Sequence, residues 1–144
     1  MKIVLSESQY KKLFKEEKEQ KILKIPSIKF FNNDWFLLQK FLEKKGNPPY
    51  TIGGDLNLRE IPIESLGNLQ SVGGHLHLRF SPIKSLGNLT SVGGSLSLSF
   101  TPIESLGNLQ SVGNNLYLKY TPLSKKYTEE EIRQMVDVGG KIYL

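Results

Sequence analysis

A block of 20 residues recurs through the middle of the chain with few changes. Two successive copies, which begin at Ser71 and Ser91, read SVGGHLHLRFSPIKSLGNLT and SVGGSLSLSFTPIESLGNLQ. A similar block precedes them from Tyr50, and a shorter one follows from Ser111. A block this short cannot bury its own apolar side chains, so neighbouring blocks must stack and share a continuous core. The period therefore predicts a repeat solenoid.

Apolar alternation within each block predicts a short β-strand. Leu76 and Leu78 form the alternating pair of the second block, and their side chains should point inward. Four more apolar side chains should complete the interior of that block: Val72, Ile83, Leu86 and Leu89. Gly-Gly and Gly-Asn dipeptides mark two corners at which a positive φ is favourable. We expect about five such strands in a single parallel β-sheet with helix-poor coils.

Helices are predicted ahead of the repeats. Ser6 and Gln9 have the spacing of a capping box, which predicts a helix over residues 7–21. Asn33 or Asp34 can cap a second helix. The apolar face of that second helix should cover the open end of the first block: Trp35, Leu38, Phe41 and Leu42.

A cap and one further strand are predicted after the repeats. Thr128 and Glu131 form another capping box, and the short helix that they begin should turn three side chains inward: Ile132, Met135 and Val136. Residues 138–144 then match residues 112–118 position for position and should restore the strand. The predicted organisation is a basic strand and helix segment (1–31), a helical N-terminal cap (32–49), the solenoid (50–124) and a C-terminal cap with the last strand (125–144).

Two segments of the repeats carry a resemblance to known families. The segment LSLSFTPI at 96–103 resembles the leucine-rich-repeat core L-x-L-x-x-N-x-L, and SLGNLTSVGGSLSL resembles the coils of receptor L domains. The family's Asn normally forms a buried ladder, for which Ser81, Thr101 and Thr121 would have to substitute with hydroxyls. The opening IVLSESQYKKL is similar to the starts of many small bacteriophage proteins. Both resemblances imply recognition of a partner rather than catalysis.

Composition and charge narrow the classes of function. The chain has no cysteine, so neither a disulfide framework nor a thiolate metal site is expected. The net charge of +5 comes from residues 1–46, which hold 11 Lys and 6 acidic residues, whereas the repeats are balanced. No run of about 18 apolar residues occurs, so we expect no membrane partner and a cytoplasmic protein, in the host cytoplasm if it is viral.

Outward side chains of successive strands should form columns, because residues one period apart become neighbours on the sheet. The first column is Asp55, His75, Ser95, Asn115 and Lys141; the second is Asn57, His77, Ser97, Tyr117 and Tyr143. The third is Arg59, Arg79, Ser99 and Lys119, and a fourth, where strand becomes turn, is Glu60, Phe80, Phe100 and Tyr120. The residues expected to bind a partner are Arg59, His75, His77, Arg79, Phe80, Phe100, Tyr117, Lys119, Tyr120 and Tyr143.

Two chemical alternatives arise on the first column. Asp55, His75 and Ser95 would stand side by side like a catalytic triad, but a flat sheet offers no oxyanion hole, and the repeat itself forces such alignments. His75 and His77 lie on one face and could chelate a metal together with Asp55. A solvated polar ladder explains the same residues, and we expect no enzymatic activity, no metal and no cofactor.

The aromatic and basic positions also allow more than one interpretation. Phe80, Phe100 and Tyr120 either shield the turn or form an exposed ridge of the kind that protein interfaces favour. Arg59 and Arg79 either keep the sheet face soluble or hold nucleic acid together with the lysine-rich N-terminal helix. The favoured hypothesis is a non-enzymatic protein-interaction module, such as a phage accessory factor that acts on a host protein, as a monomer or an edge-paired dimer. A nucleic-acid-associated protein and a virion or assembly component are the alternatives.

Overall fold

Two parallel β-sheets form the repeat region in the computed structural model, which describes residues 6–9 and 21–144. The strands are β1 (Leu23–Ile25), β2 (Tyr50–Ile52), β3 (Leu56–Asn57), β4 (Leu69–Val72), β5 (Leu76–His77), β6 (Ser91–Val92), β7 (Leu96–Ser97), β8 (Ser111–Val112), β9 (Leu116–Tyr117), β10 (Asp137–Val138) and β11 (Ile142–Tyr143). A six-stranded sheet has the order β1-β2-β4-β6-β8-β10, and a five-stranded sheet has the order β3-β5-β7-β9-β11. The predicted five parallel strands are thus confirmed, but the prediction of a single sheet is wrong.

From β6 onward, each strand of the six-stranded sheet is the residue pair that precedes a glycine corner. Ser71 pairs with Ser91, and Ser91 pairs with Ser111. A strand of two residues is too short to show alternation in the sequence, so only the inward valine of each pair was identifiable. Each repeat therefore contributes one short strand to each sheet, with a glycine corner between them.

Register between repeats follows the sequence period. Leu76 lies opposite Leu96, and Leu96 lies opposite Leu116, in the five-stranded sheet. The six apolar side chains predicted to fill the second repeat are all buried: Val72, Leu76, Leu78, Ile83, Leu86 and Leu89. The equivalent leucines of neighbouring repeats belong to the same core cluster. Burial at every repeat is what makes the stack continuous.

The two kinds of glycine corner exist for different reasons. Gly87, in a Gly-Asn corner, has a φ of 56°, as the sequence predicts. The Gly-Gly corners are not left-handed. A Cβ atom on Gly93 would instead collide with the carbonyl oxygen of Gly73 in the preceding repeat. Glycine is needed there because two backbones approach closely.

The second predicted N-terminal helix is present, whereas β1 and the 3-10 helix that precede it were not predicted. Ser6 and Gln9 form the predicted capping box, and residues 10–20 of the helix predicted there lie outside the described part. A short 3-10 helix (Ile28–Phe31) leads to α1 (Trp35–Lys44), which Asp34 caps by accepting from the N–H groups of its first turn. Three side chains of α1 are buried in the core: Trp35, Leu38 and Leu42.

Two short helices form the C-terminal cap. The first, α2 (Pro122–Lys126), was not predicted, although Thr121 caps it and forms a capping box with Ser124. The second, α3 (Glu129–Met135), begins at the predicted Thr128 capping box and buries Ile132. Met135 is 46% exposed, so its predicted inward position is wrong, because the chain becomes extended at the next residue and Val136 fills the core instead. In the described part of the chain, no helix is long and apolar enough to cross a membrane.

Candidate partner-binding face

The outward side chains of the five-stranded sheet stand in columns. Strand pairing places His77 beside Ser97, Ser97 beside Tyr117, and Tyr117 beside Tyr143. Asn57 lies beside His77 at the other end of the same column. The register therefore places the second predicted column as the sequence indicates.

The first column is a ladder of hydrogen bonds from backbone to side chain. Asp55 Oδ1 accepts from the N–H of His75 at 2.7 Å, and His75 Nδ1 accepts from the N–H of Ser95 at 2.8 Å. Ser95 Oγ accepts from the N–H of Asn115 at 3.2 Å, and Asn115 Oδ1 accepts from the N–H of Lys141 at 2.9 Å. The first four side chains of the column thus each satisfy a backbone donor of the next repeat. These five residues are called the ladder column below.

The hydrogen-bond partners of Asp55, His75 and Ser95 differ from those in a catalytic triad. His75 Nδ1 contacts the backbone N–H of Ser95 rather than its hydroxyl, and the Ser95 hydroxyl accepts from Asn115. Ser95 is only 8% exposed, which leaves its oxygen little room to meet a substrate. The described residues contain no cluster of three His, Cys, Asp or Glu side chains that could hold a metal ion.

Buried hydroxyls recur at one position of successive repeats. Ser81, Thr101 and Thr121 are buried. Their hydroxyls donate to the carbonyl oxygens of Leu78, Leu98 and Leu118 at 2.6, 2.7 and 2.6 Å. Each bond closes a turn within its own repeat. Hydrogen bonds between repeats are made by the ladder column.

Three aromatic residues form a stacked ridge at the end of the strands. Phe80 and Phe100 have ring centroids 4.9 Å apart, and Phe100 and Tyr120 have centroids 4.6 Å apart. The three residues, called the aromatic ridge below, are 44%, 39% and 70% exposed in chain order. Their φ angles are 64°, 58° and 60°, in the left-handed region that bulky side chains rarely adopt.

Arginine side chains lie against this ridge. The guanidinium carbon of Arg79 lies 5.0 Å from the Phe80 centroid and 4.9 Å from the Phe100 centroid. Arg59 lies 5.8 Å from the Phe80 centroid, and its Nε is 3.9 Å from the carboxylate of Glu60. The Nε atom of Arg79 is buried and makes no hydrogen bond within the described residues. The ridge and its arginines therefore combine aromatic area with localised positive charge.

The remaining predicted site residues lie on the neighbouring columns. Tyr117 and Tyr143 stack in parallel with centroids 4.8 Å apart, and Asn115 Nδ2 donates to the Tyr117 hydroxyl at 3.2 Å. Lys119 is exposed in the turn after β9. His75 is held by the ladder column, and its ring centroid lies 6.0 Å from that of His77. The structure thus places the aromatic ridge and the arginines in contact, with the tyrosine pair on the adjoining column.

Sequence reasoning missed a cleft at the first edge of the five-stranded sheet. Its volume is about 470 Å³, and it is lined by Ser27, Ile28, Lys29, Asn33 and residues 54–58. No motif marks it, because it forms where the chain leaves the sheet after β1. The comparisons with protein-family models, with curated proteins and with solved structures gave no match for this chain.

Proposed function

We propose that the chain is a leucine-rich-repeat-like solenoid that acts as a non-enzymatic protein-interaction module. Its partner would be a host or viral protein, as for a phage accessory factor in the cytoplasm. The binding surface would be the aromatic ridge with Arg79, together with the outward columns of the five-stranded sheet. The observation that carries the proposal is the exposed stack of Phe80, Phe100 and Tyr120, with Arg79 lying against two of its rings.

Left-handed backbone is costly for these residues. A non-glycine residue in that region costs roughly 1–2 kcal/mol, and glycine or asparagine would relieve the cost. Complete burial would justify an aromatic side chain there, but the three rings remain 39–70% exposed. Glu60 has the same backbone in the first repeat, so the turn belongs to every repeat, and what distinguishes the three later positions is an exposed aromatic side chain. Aromatic and arginine residues are also the types that interfaces favour most.

The nucleic-acid alternative finds less support on this surface. Both arginines lie over aromatic rings, and Glu60 is close to Arg59. Asp55 adds a further negative charge to the same face. A surface that held phosphates by charge would be expected to carry a clear excess of cations.

Affinity capture with three forms of the full chain tests the proposal. The forms are the natural chain, Phe100→Gly, which removes the central ring, and Gln110→Ala, a control at an exposed position beside the other sheet. We expect one partner that binds the natural chain and the control but not Phe100→Gly. Its capture should survive nuclease treatment. Equal capture by all three forms would contradict the proposal. Nuclease sensitivity with a steep dependence on salt would favour the nucleic-acid alternative.

A further inference from the structure

In the described part of the chain, one strand position is vacant in the five-stranded sheet. The six-stranded sheet begins with β1, which pairs with β2, whereas the five-stranded sheet begins only at β3. After β1 the chain passes through Pro26 and Ser27 into the 3-10 helix instead of continuing beside β3. The cleft of about 470 Å³ lies at this vacancy, between the 3-10 helix and β3. Its volume falls in the range of ligand sites.

The repeat shows which backbone groups face the vacancy. Between the first two repeats, the N–H groups of Leu56 and Leu58 donate to the carbonyls of His75 and His77, each at 2.8 Å. The same pattern recurs one repeat later, from Leu76 to Ser95 at 3.0 Å and from Leu78 to Ser97 at 2.9 Å. The backbone of β3 is equivalent to that of β5 and β7.

It follows that the carbonyls of Asp55 and Asn57 point toward the vacant position. Within the described part of the chain, they have no strand beyond them to bond. The N–H of Asp55 also makes no hydrogen bond to a described residue, whereas its counterpart in His75 donates to a side chain of the preceding repeat.

We propose that this edge cleft binds an extended peptide that adds a parallel strand beside β3. Two N–H groups of the peptide, two residues apart, would donate to the carbonyls of Asp55 and Asn57. A Ser, Asn or Asp just before the first of them would accept from the N–H of Asp55, as in the ladder column. The expected peptide therefore has a short polar residue that accepts a hydrogen bond, followed by an apolar residue, any residue and a second apolar residue. This inference uses backbone groups at the edge of the sheet rather than the outward side chains of the proposed function, and it stands or falls separately.

The chain's own repeat supplies a probe of this chemistry. The acetylated and amidated peptide Gly-Ser-Leu-Ser-Leu-Ser has the sequence of residues 94–99. Titrated into the full chain and followed by amide NMR, it should give saturable shifts at residues 54–58. Methylating the nitrogens of both leucines removes the two donors and should weaken binding about tenfold or more. Methylating the serine between them, whose N–H faces the other way, is the matched control and should have little effect.

A variant of the protein gives a second readout. A Cβ atom at Gly54 would meet nothing closer than 3.9 Å, so Gly54→Leu should fold and fill the cleft. We expect this variant to lose peptide binding while it keeps the urea midpoint of the natural chain. If it unfolds, the methylated peptides on the natural chain still decide. Four results would overturn the proposal. Two concern the peptides: no saturable shifts at millimolar peptide, or equal binding of both methylated peptides. The other two are undiminished binding by folded Gly54→Leu and shifts confined to residues 142–144.

Discussion

The Nδ1 atom of His75 accepts a hydrogen bond of 2.8 Å from the backbone N–H of Ser95. This nitrogen acts as an acceptor, as it does in the tautomer that carries its ring hydrogen on Nε2. His75 thus serves as one rung of the ladder column, between the carboxylate of Asp55 and the hydroxyl of Ser95. The apparent triad and the ladder are the same residues, and the ladder accounts for their hydrogen bonds.

Replacing His75 tests the ladder. His75→Ala leaves the N–H of Ser95 without an acceptor and should lower the free energy of unfolding by about 1–3 kcal/mol. His75→Asn keeps an acceptor, as Asn115 does two repeats further on, and should cost less. Urea unfolding of both variants checks this, with His77→Ala as a control on the next column. Equal losses in all three variants would show that the hydrogen bond contributes nothing.

The glycine corners should differ sharply in their tolerance of a methyl group. Gly93→Ala would force a Cβ atom into the carbonyl oxygen of Gly73, and overpacking of this kind costs about 1–3 kcal/mol or more. Gly54→Ala meets no atom closer than 3.9 Å and should be nearly neutral. Thermal unfolding of the pair gives the comparison. Similar melting temperatures for both variants would contradict the close approach of the repeats.

Substitutions at Phe100 separate backbone strain from ring stacking. Phe100→Ala and Phe100→Gly both remove the ring from between Phe80 and Tyr120, but only glycine adopts a φ of 58° freely. We expect both variants to fold and the glycine variant to be more stable than the alanine variant by about 1 kcal/mol. Circular dichroism and urea unfolding measure this. A protein that unfolds in both cases would make the aromatic ridge a structural requirement.

Tyr50 should make stability fall at alkaline pH. Burial raises the pKa of its phenol well above the ordinary value, and its hydroxyl donates to the carbonyl of Leu66 at 2.8 Å. Because the folded state favours the protonated phenol, its contribution is complete below pH about 10 and is lost as pH rises beyond that value.

The matched variant is Tyr50→Phe. Its free energy of unfolding at pH 7 should be lower by about 1–2 kcal/mol, because the Leu66 carbonyl is left without its donor. Between about pH 9 and 11, the free energy of unfolding of this variant should decline less than that of the natural chain. Urea unfolding of both proteins across this pH range measures the difference. Parallel pH profiles for the two proteins would show that Tyr50 is not the group responsible.

Apolar periodicity was enough to predict the stacked strands and their core. Leu76 and Leu78 recur at a fixed interval, and their burial follows from the hydrophobic effect alone. The same reasoning placed α1, because Asp34 and the face of Trp35 are local signals. The second sheet was not predictable, since each of its strands in the repeats after the first two has only two residues.

The ladder column and the aromatic ridge show a different limit. The sequence indicated which side chains are neighbours but not which atoms they use, so Asp55, His75 and Ser95 looked catalytic. The left-handed backbone at Phe80 runs against the preference of an aromatic residue, so local propensity gave no sign of it. The edge cleft depends on where the chain departs after β1, which is a property of topology.

Site-specific photo-crosslinking tests the central claim, that the aromatic ridge meets a protein partner, most directly. Benzoylphenylalanine replaces Tyr120, which is the most exposed residue of the aromatic ridge. The variant is irradiated in the cells that naturally contain the protein. The same group in place of Gln110, beside the six-stranded sheet, is the control. We expect a covalent adduct of one defined mass from position 120 and none from position 110. No protein adduct from position 120, or the same adducts from both positions, would contradict the account.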